Sequence, residues 1–353
     1  MRHALAVAGL VLAVAALAGC GTQRAPAAQQ ARSASPACDL VASPTGSDHA
    51  AGTVAAPLRT PQRLLARLRA GQVGCLRGGT YVQDVRVGRS HITLTSFARE
   101  RAKIVGRLWV QRQAHDDTIS GLLLDGRNPR RYPSPTVNGD HITFVENHVT
   151  NGRTGICFDL GGVAGYGIAQ HTLLLRNRIH GCGALPASNR QHGIYIEHTL
   201  DTRIVDNVIY DNADRGIQLY PDAQRTTITG NVIDGNGEGI IFSGDGATAS
   251  NHTTVQRNLV TNARIRADVE SWYPGRLRGT ANVVRDNCLW GGRATVDPSE
   301  GGFVATDNVV ADPGYRDRRA GDFRLAPGSP CAALLARSTA PAGPAGETPA
   351  SVG

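Results

Sequence analysis

Along most of this chain apolar and polar residues alternate in strings only a few positions long, and one polar position keeps returning. Asn147 in ENHV, Asn177 in RNRI, Asn207 in DNVI, Asn231 in GNVI, Asn258 in RNLV, Asn287 in DNCL and Asn308 in DNVV share one slot, two residues ahead of an apolar residue. Their separations are 30, 30, 24, 27, 29 and 21 residues. A string of the T-I-T or R-I-V type precedes most of these Asn residues. A second string follows eight or nine residues later: TGICFDL, RGIQLYP and EGIIFSG, with HGIYIEH arriving after sixteen. Their glycines, Gly155, Gly193, Gly216 and Gly239, align in one register. Alternation of this length predicts β-strands, and a period of 21 to 30 residues predicts stacked coils.

A coil of two or three short strands cannot bury its inner face alone, so coils stack with parallel strands ~4.8 Å apart and Ile, Leu and Val turned inward. An Asn amide both donates and accepts, so Asn on successive coils can form a ladder. The strict hexapeptide period of a left-handed β-helix and the L-x-x-L-x-L spacing of leucine-rich repeats are both missing. The predicted fold is all-β, a single-stranded right-handed parallel β-helix. Near its start, Thr60-Pro61 reads as an N-cap and first helical residue, with Leu64, Leu65 and Leu68 on one face and Gly71 as the stop. This short helix is expected to cap the open apolar end of the solenoid.

The ends of the chain read differently. Residues 1–19 have the layout of a secretory signal peptide, with Arg2 and His3 ahead of an apolar core. Leu17-Ala18-Gly19-Cys20 resembles a bacterial lipoprotein box, which implies a lipid anchor at Cys20. Residues 20–37 form a tether and 336–353 a tail, both too polar and Pro-rich to fold, leaving 38–335 as the β-helix domain with its cap. Six further cysteines, Cys38, Cys75, Cys157, Cys182, Cys288 and Cys331, suggest three disulfides in an exported chain. Spacing alone does not fix their connectivity; nearest-neighbour pairing (38–75, 157–182, 288–331) is the expectation. The expected location is the cell envelope, lipid-anchored to the outer face of the cytoplasmic membrane, or the exterior. No Cys-x-x-Cys or His-x-x-x-His string is present, so no metal is expected.

The net charge of +8 rests almost wholly on arginine, since Lys103 is the only lysine. The scatter of arginines favours an acidic partner such as a uronic-acid polysaccharide, or an anionic envelope surface. No basic helix and no aromatics interleaved with basic residues point to nucleic acid. A monomer is expected.

These features together resemble the bacterial right-handed parallel β-helix repeat proteins of the pectin-lyase-like superfamily, over roughly residues 72 to 331. CLRGGTYVQDV is similar to the entry coil of that group, and GDFRLAPGSPC to its closing segment. The resemblance implies a polysaccharide bound in a groove along stacked strands. It does not specify a reaction. The pectate lyase strings Arg-x-Pro-x-x-Arg and W-x-D-H are absent, as are the polygalacturonase set and the pectin methylesterase motifs. Gln191-His192-Gly193 is only a partial echo of Gly-His-Gly.

If Gly193 faces outward, Tyr195 and Glu197 do too, while Ile194 and Ile196 face inward. Alignment on the glycines puts Asp159, Glu197, Tyr220 and Ser243 in one outward row, and Cys157, Tyr195, Gln218 and Ile241 in another. His192, Arg215 and Glu238 precede their glycines one coil apart. The candidate catalytic residues are His192, Glu197, Arg215, Asp159 and Glu238. The candidate sugar-binding residues are Tyr195, Tyr220, Gln218, Trp272 and Tyr273, with Glu270 beside them. Carboxylates on adjacent coils would stand near the ~5–5.5 Å of retaining glycosidases. His192 or a deprotonated tyrosine could abstract a uronic acid C5 proton while Arg215 neutralises the sugar carboxylate. The surplus residues of GCGALPASNRQ would form a lip over this strand, pinned by a Cys157–Cys182 bridge.

Plainer readings stand beside these. His192 can be a hydrogen-bonded turn residue, Arg215 and Glu238 a cross-coil ion pair, and Asp211 and Asp214 turn caps. Asp159 and Glu197 can be a solvated face, with calcium the minor alternative. Two functions follow: a cell-surface lyase, epimerase or hydrolase acting on an acidic glycan, or a non-catalytic glycan-binding or envelope-structural module.

Overall fold

The structure, a computed structural model, describes residues 37–162 and 166–336. The signal segment, Cys20 and nearly all of the tether and tail lie outside the described residues. Every coil visits three parallel sheets in turn. The first sheet has 11 strands, from Leu40–Ala42 to Val304–Thr306; the second has 10, from Gly79–Val82 to Val309–Val310. The third runs along 9 strands from Val85–Val87 to Val296–Asp297, with Ala169–Gln170 paired beside them. The result is the right-handed parallel β-helix.

Inward residues stack like on like. In the first sheet Ile119, Phe144, Leu174, Ile204, Ile228, Val255 and Val284 follow one another in register and are fully buried. Ile179, Ile209, Ile233, Val260 and Leu289 do the same in the second. Each such side chain contributes about 1.5–3 kcal/mol of burial.

The Asn slot lies at the corner between the first and second sheets. Asn207 shows its work: Nδ2 donates to Asn231 Oδ1 (3.0 Å) and to the Leu174 carbonyl (2.9 Å), while the Asn207 backbone N–H also donates to Asn231 Oδ1 (2.8 Å). The same rungs join Asn147 to Asn177, Asn177 to Asn207, Asn231 to Asn258, Asn258 to Asn287 and Asn287 to Asn308. The residue just before each Asn, such as Glu146, Arg176 or Asp206, takes a left-handed conformation (φ 57, 51 and 54°). That tight corner aims backbone groups into the interior, where the amide ladder satisfies them. A shorter ladder at the next corner, Asn212 Nδ2 to Asn236 Oδ1 (2.9 Å), was not signalled by the repeat slot.

The cap is present as helix α1, Pro61–Arg67, with Thr60 Oγ1 accepting from the Arg63 N–H (3.1 Å). It ends earlier than the glycine stop suggests. The Leu68 N–H still bonds the Leu64 carbonyl but Leu68 turns extended, and Gly71 (φ 83°) serves the following turn. Leu64, Leu65 and Leu68 are buried, and a Cβ on Gly74 would meet Leu64 at 2.3 Å, so the helix seats directly on strand Val73–Leu76. The disulfides are Cys38–Cys75, Cys157–Cys182 and Cys288–Cys331. Three bridges are those of a chain that folds in an oxidising compartment outside the cytoplasm.

Asn207→Ala would strand the Leu174 carbonyl and the Asn177 N–H in the interior. At ~1–3 kcal/mol per stranded group, it is expected to lower stability by roughly 2–5 kcal/mol in chemical denaturation. Asn308→Ala, at the half-exposed end of the ladder, is expected to cost less than half as much. Equal losses at the two positions would mean that the ladder does not hold the stack.

Candidate functional site

The outward face of the third sheet carries one continuous file: Arg86, Trp109, Thr136, Asp159, Tyr195, Gln218, Ile241, Glu270 and Asp297. This corrects the register expected from the glycines. Tyr195, Gln218 and Ile241 do align, but Asp159 joins their row opposite Tyr195 in place of Cys157, which is buried in its disulfide. Glu197 sits two residues further along the next strand, opposite a bulge that contains Tyr220 and Pro221. A slip of two residues preserves the in–out alternation, so the hydrophobic pattern could not detect it. Gly155 does not enter the strand: the Asn151 amide bonds its carbonyl and that of Ile156, and the strand starts only at Phe158. Ser243 is buried, with its hydroxyl donating to the Trp272 carbonyl.

The early coils open a cleft of about 660 Å³ on this face, lined among others by Arg86, Arg107, Trp109, Arg130, Tyr132, Asn138, Asp159, Tyr166 and Glu197. The Arg107 guanidinium lies between the Trp109 and Tyr132 rings, 4.9 Å from each centroid. It donates to Thr136 Oγ1 (3.2 Å), while its Nε is buried and has no partner. Trp109 is held by its Nε1–H on Asn138 Oδ1 (2.8 Å), with the Tyr166 ring 6.2 Å away.

At the floor, Asp159 Oδ1 is out of contact with solvent and also lacks a hydrogen-bond partner. Burial pushes the Asp159 carboxyl well above the usual carboxylate range and the neighbouring Glu197 pushes it further, with Arg107 opposing. Burial raises Glu197 as well. Both carboxyls therefore keep their protons to a higher pH than free carboxylates do, Asp159 the more strongly. The Tyr195 phenol beside them is held neutral by burial first and by Glu197 second. Tyr195 and Tyr220 stack at 6.3 Å.

The other predicted residues gather elsewhere on the same sheet. Arg215 Nε pairs with Glu238 Oε2 at 2.8 Å, and both side chains are buried. Arg266 bonds Glu270 Oε2 (3.1 Å), and burial, then Glu238, raises the Glu270 carboxyl to about 7. This is a structural network: Arg215 Nη1 also donates to the Asn189 carbonyl, and the Asp214 carboxylate accepts from the Asn189, Arg190 and Gln191 N–H groups. The lip of residues 183–191 is thereby tied down ahead of His192. That histidine is 3 % exposed and kept neutral by burial, with Arg215 adding to the effect, so it is walled off from the cleft contents. Trp272 is exposed, whereas Tyr273, expected beside it as a sugar contact, is buried against Gly302. Arg107, Trp109 and Tyr132 were missed because coils before residue 147 lack the Asn slot, and Tyr166 because it lies outside both repeat strings. The outward aromatic in RLWV was the available signal.

The raised carboxyls give stability a pH dependence of defined sign. A group whose folded-state pKa lies above its unfolded value of ~3.9 stabilises the fold fully at low pH and loses that contribution as pH rises through the folded value. Asp117 and Asp268, both pushed by burial to about 7, act in the same direction. Wild-type and Asp159→Asn proteins are expected to melt together near pH 4 and to diverge toward pH 8, with the variant the more stable. A gap independent of pH would contradict the raised Asp159 carboxyl.

Comparison with known proteins agrees with this architecture. The family described as right-handed β-helix region matches residues 136–306. Among solved structures, the pectate lyase Pel9A superposes with a TM-score of 0.60 at 14% identity, over 83% of this chain and 91% of that one. The structure of XylC in complex with xylose gives 0.50 at 11% identity, over 73% and 69%. A search of curated proteins finds no match. With its coils visiting three parallel sheets in turn and residues 136–306 matching that family's pattern, the chain has the fold of a right-handed parallel β-helix protein.

Proposed function

We propose that this protein cleaves a polysaccharide carrying acidic sugars, bound in the cleft above Asp159. The reading rests on one observation: a buried carboxyl oxygen of Asp159 and a buried Nε–H of Arg107 both lack partners in the same cleft. Unpaired polar atoms are costly inside a protein, and a ligand that completes both recovers that cost. Arg86, Arg107 and Arg130 suit a sugar carboxylate, and the Trp109 and Tyr166 rings suit the apolar faces of pyranoses. The pectate lyase and the xylose complex that share the fold are consistent with a glycan ligand.

The carboxyl pair favours hydrolysis over elimination. Asp159, the more strongly raised, is the general acid that gives its proton to the glycosidic oxygen as that bond breaks. Glu197 is the base that takes a proton from the water attacking the anomeric carbon. Because the two stand diagonally on adjacent strands, their Cα atoms are roughly 8 Å apart by strand spacing and rise. A diagonal pair of this kind can hold a water between its carboxyls, the arrangement that inverts the anomeric centre. The bases a lyase would need are poorly placed, since Tyr195 is held neutral, His192 is walled off and Lys103 pairs with Asp125 on the second sheet. The chain is proposed to act from the cell surface, held by a lipid on Cys20.

Purified protein is expected to release reducing ends from an acidic polysaccharide in a panel of pectate, alginate, glycosaminoglycans and neutral glycans, without new unsaturated ends. Asp159→Asn and Glu197→Gln should each lower kcat by at least ~100-fold with unchanged circular dichroism, and Arg107→Ala should remove the preference for acidic chains. Proton NMR of the first product should show the inverted anomer. Unsaturated ends, or full activity in Asp159→Asn, would rule the mechanism out; glycan retention without any product would mark a binding module instead. In cell fractionation, Cys20→Ser is expected to move the protein from the membrane to the soluble fraction, and an unchanged membrane fraction would exclude the anchor.

A further inference from the structure

A second file of side chains runs along the corner between the third and first sheets. Here His91, Asp116, His141, His171, Asp201, Arg225 and His252 each adopt a left-handed backbone (φ 52 to 58°). Each N–H in the file bonds a carbonyl of the next coil: His91 to His115, Asp116 to Asp140, His141 to Gln170, and so on to His252 with Thr280. The corner is therefore rigid in its backbone, while its side chains project into solvent at the coil spacing.

At the amino-terminal end of this file two imidazoles and a carboxylate converge. His115 Nδ1 lies 2.8 Å and His91 Nδ1 3.7 Å from the same oxygen, Asp116 Oδ2, and one ligand atom from each residue lies within 4.8 Å of the others. The ligand atoms of a tetrahedral zinc site, at 2.0–2.1 Å from the metal, stand about 3.3–3.4 Å apart. The three side chains are about half exposed, so small rotations bring them to that spacing. The His91 and His115 rings already stand edge to face at 4.7 Å, and His141, next in the file, lies within electrostatic reach of Asp116.

We propose that His91, His115 and Asp116 bind a divalent transition-metal ion of the zinc class, with His141 or water completing the shell. Imidazole nitrogens with one carboxylate select such an ion over calcium or magnesium, which take oxygen shells. The coils that contribute these ligands also contribute Arg86 and Trp109 to the cleft, so the ion would clamp together the turns on which the cleft is built. The ligands are 24 and 25 residues apart, one coil length, a spacing outside the short motifs by which zinc sites are read from sequence.

The test is titration of the tag-free, metal-stripped protein with Zn²⁺ against a chromophoric chelator, with Ca²⁺ in parallel. One Zn²⁺ per chain is expected, with negligible Ca²⁺ binding and a higher melting temperature in Zn²⁺. His115→Ala and Asp116→Asn should each weaken binding at least tenfold, His252→Ala should leave it unchanged, and Cu²⁺ electron paramagnetic resonance should show at least two nitrogen ligands that fall by one in His91→Ala. Without metal the four variants should fold and melt close to the wild-type protein, since these side chains are exposed. Zn²⁺ binding unaltered by His91→Ala and His115→Ala, equal Ca²⁺ binding, or no binding at all would overturn the site.

Discussion

No coil of this protein can satisfy its own backbone. Each strand of the three sheets is two to ten residues long and finds its hydrogen-bond partners in the coils before and after it, in parallel. Stacking therefore replaces folding back, and a residue's partner is whatever stands one coil away. Apolar files fill the interior, and at the sharp corner between the first two sheets the Asn amides carry the stack through a stretch where backbone alone would leave interior groups unpaired.

The same constraint organises the chemistry. The cleft is a file of outward residues on the third sheet that happens to bring Arg86, Trp109, Thr136 and Asp159 one above another, with Glu197 set off diagonally on the next strand. The corner file that gathers His91, His115 and Asp116 obeys the same rule on the neighbouring edge. In both places side chains far apart in sequence meet because they occupy equivalent points of successive turns. Charge then follows burial: burial and then Glu197 raise Asp159, burial raises Glu197, and exposed Asp116 is pulled down by its hydrogen bond with His115.

The repeat made much of this legible. The recurring Asn, the alternating strings and the Thr60-Pro61 start point to the coils, the ladder and the cap, and neighbouring cysteines do pair. Three things stayed hidden. The two-residue slip at Gly155 leaves alternation intact, so it moved Asp159 beside Tyr195 without disturbing any pattern. Burial of His192 and Tyr273 depends on the lip and on the neighbouring coil, neither of which is local in sequence. The cleft walls come from coils that lack the Asn slot, so the repeat drew the eye past Arg107, Trp109 and Tyr132.

The amide ladder has a definite beginning. Asn147 is its first rung, bonding back to the Ile119 carbonyl and accepting from the Leu122 N–H, and the described coils ahead of it turn the same corner without an Asn. Most of the cleft's lining stands on those earlier coils. Cross-linking at this corner is thus distributed unevenly along the axis: the proposed cleft stands mostly on coils without the amide ladder, next to coils that carry it. A load on a chain held in the proposed cleft would fall first on coils whose corner lacks the side-chain cross-links, with the laddered coils next in line.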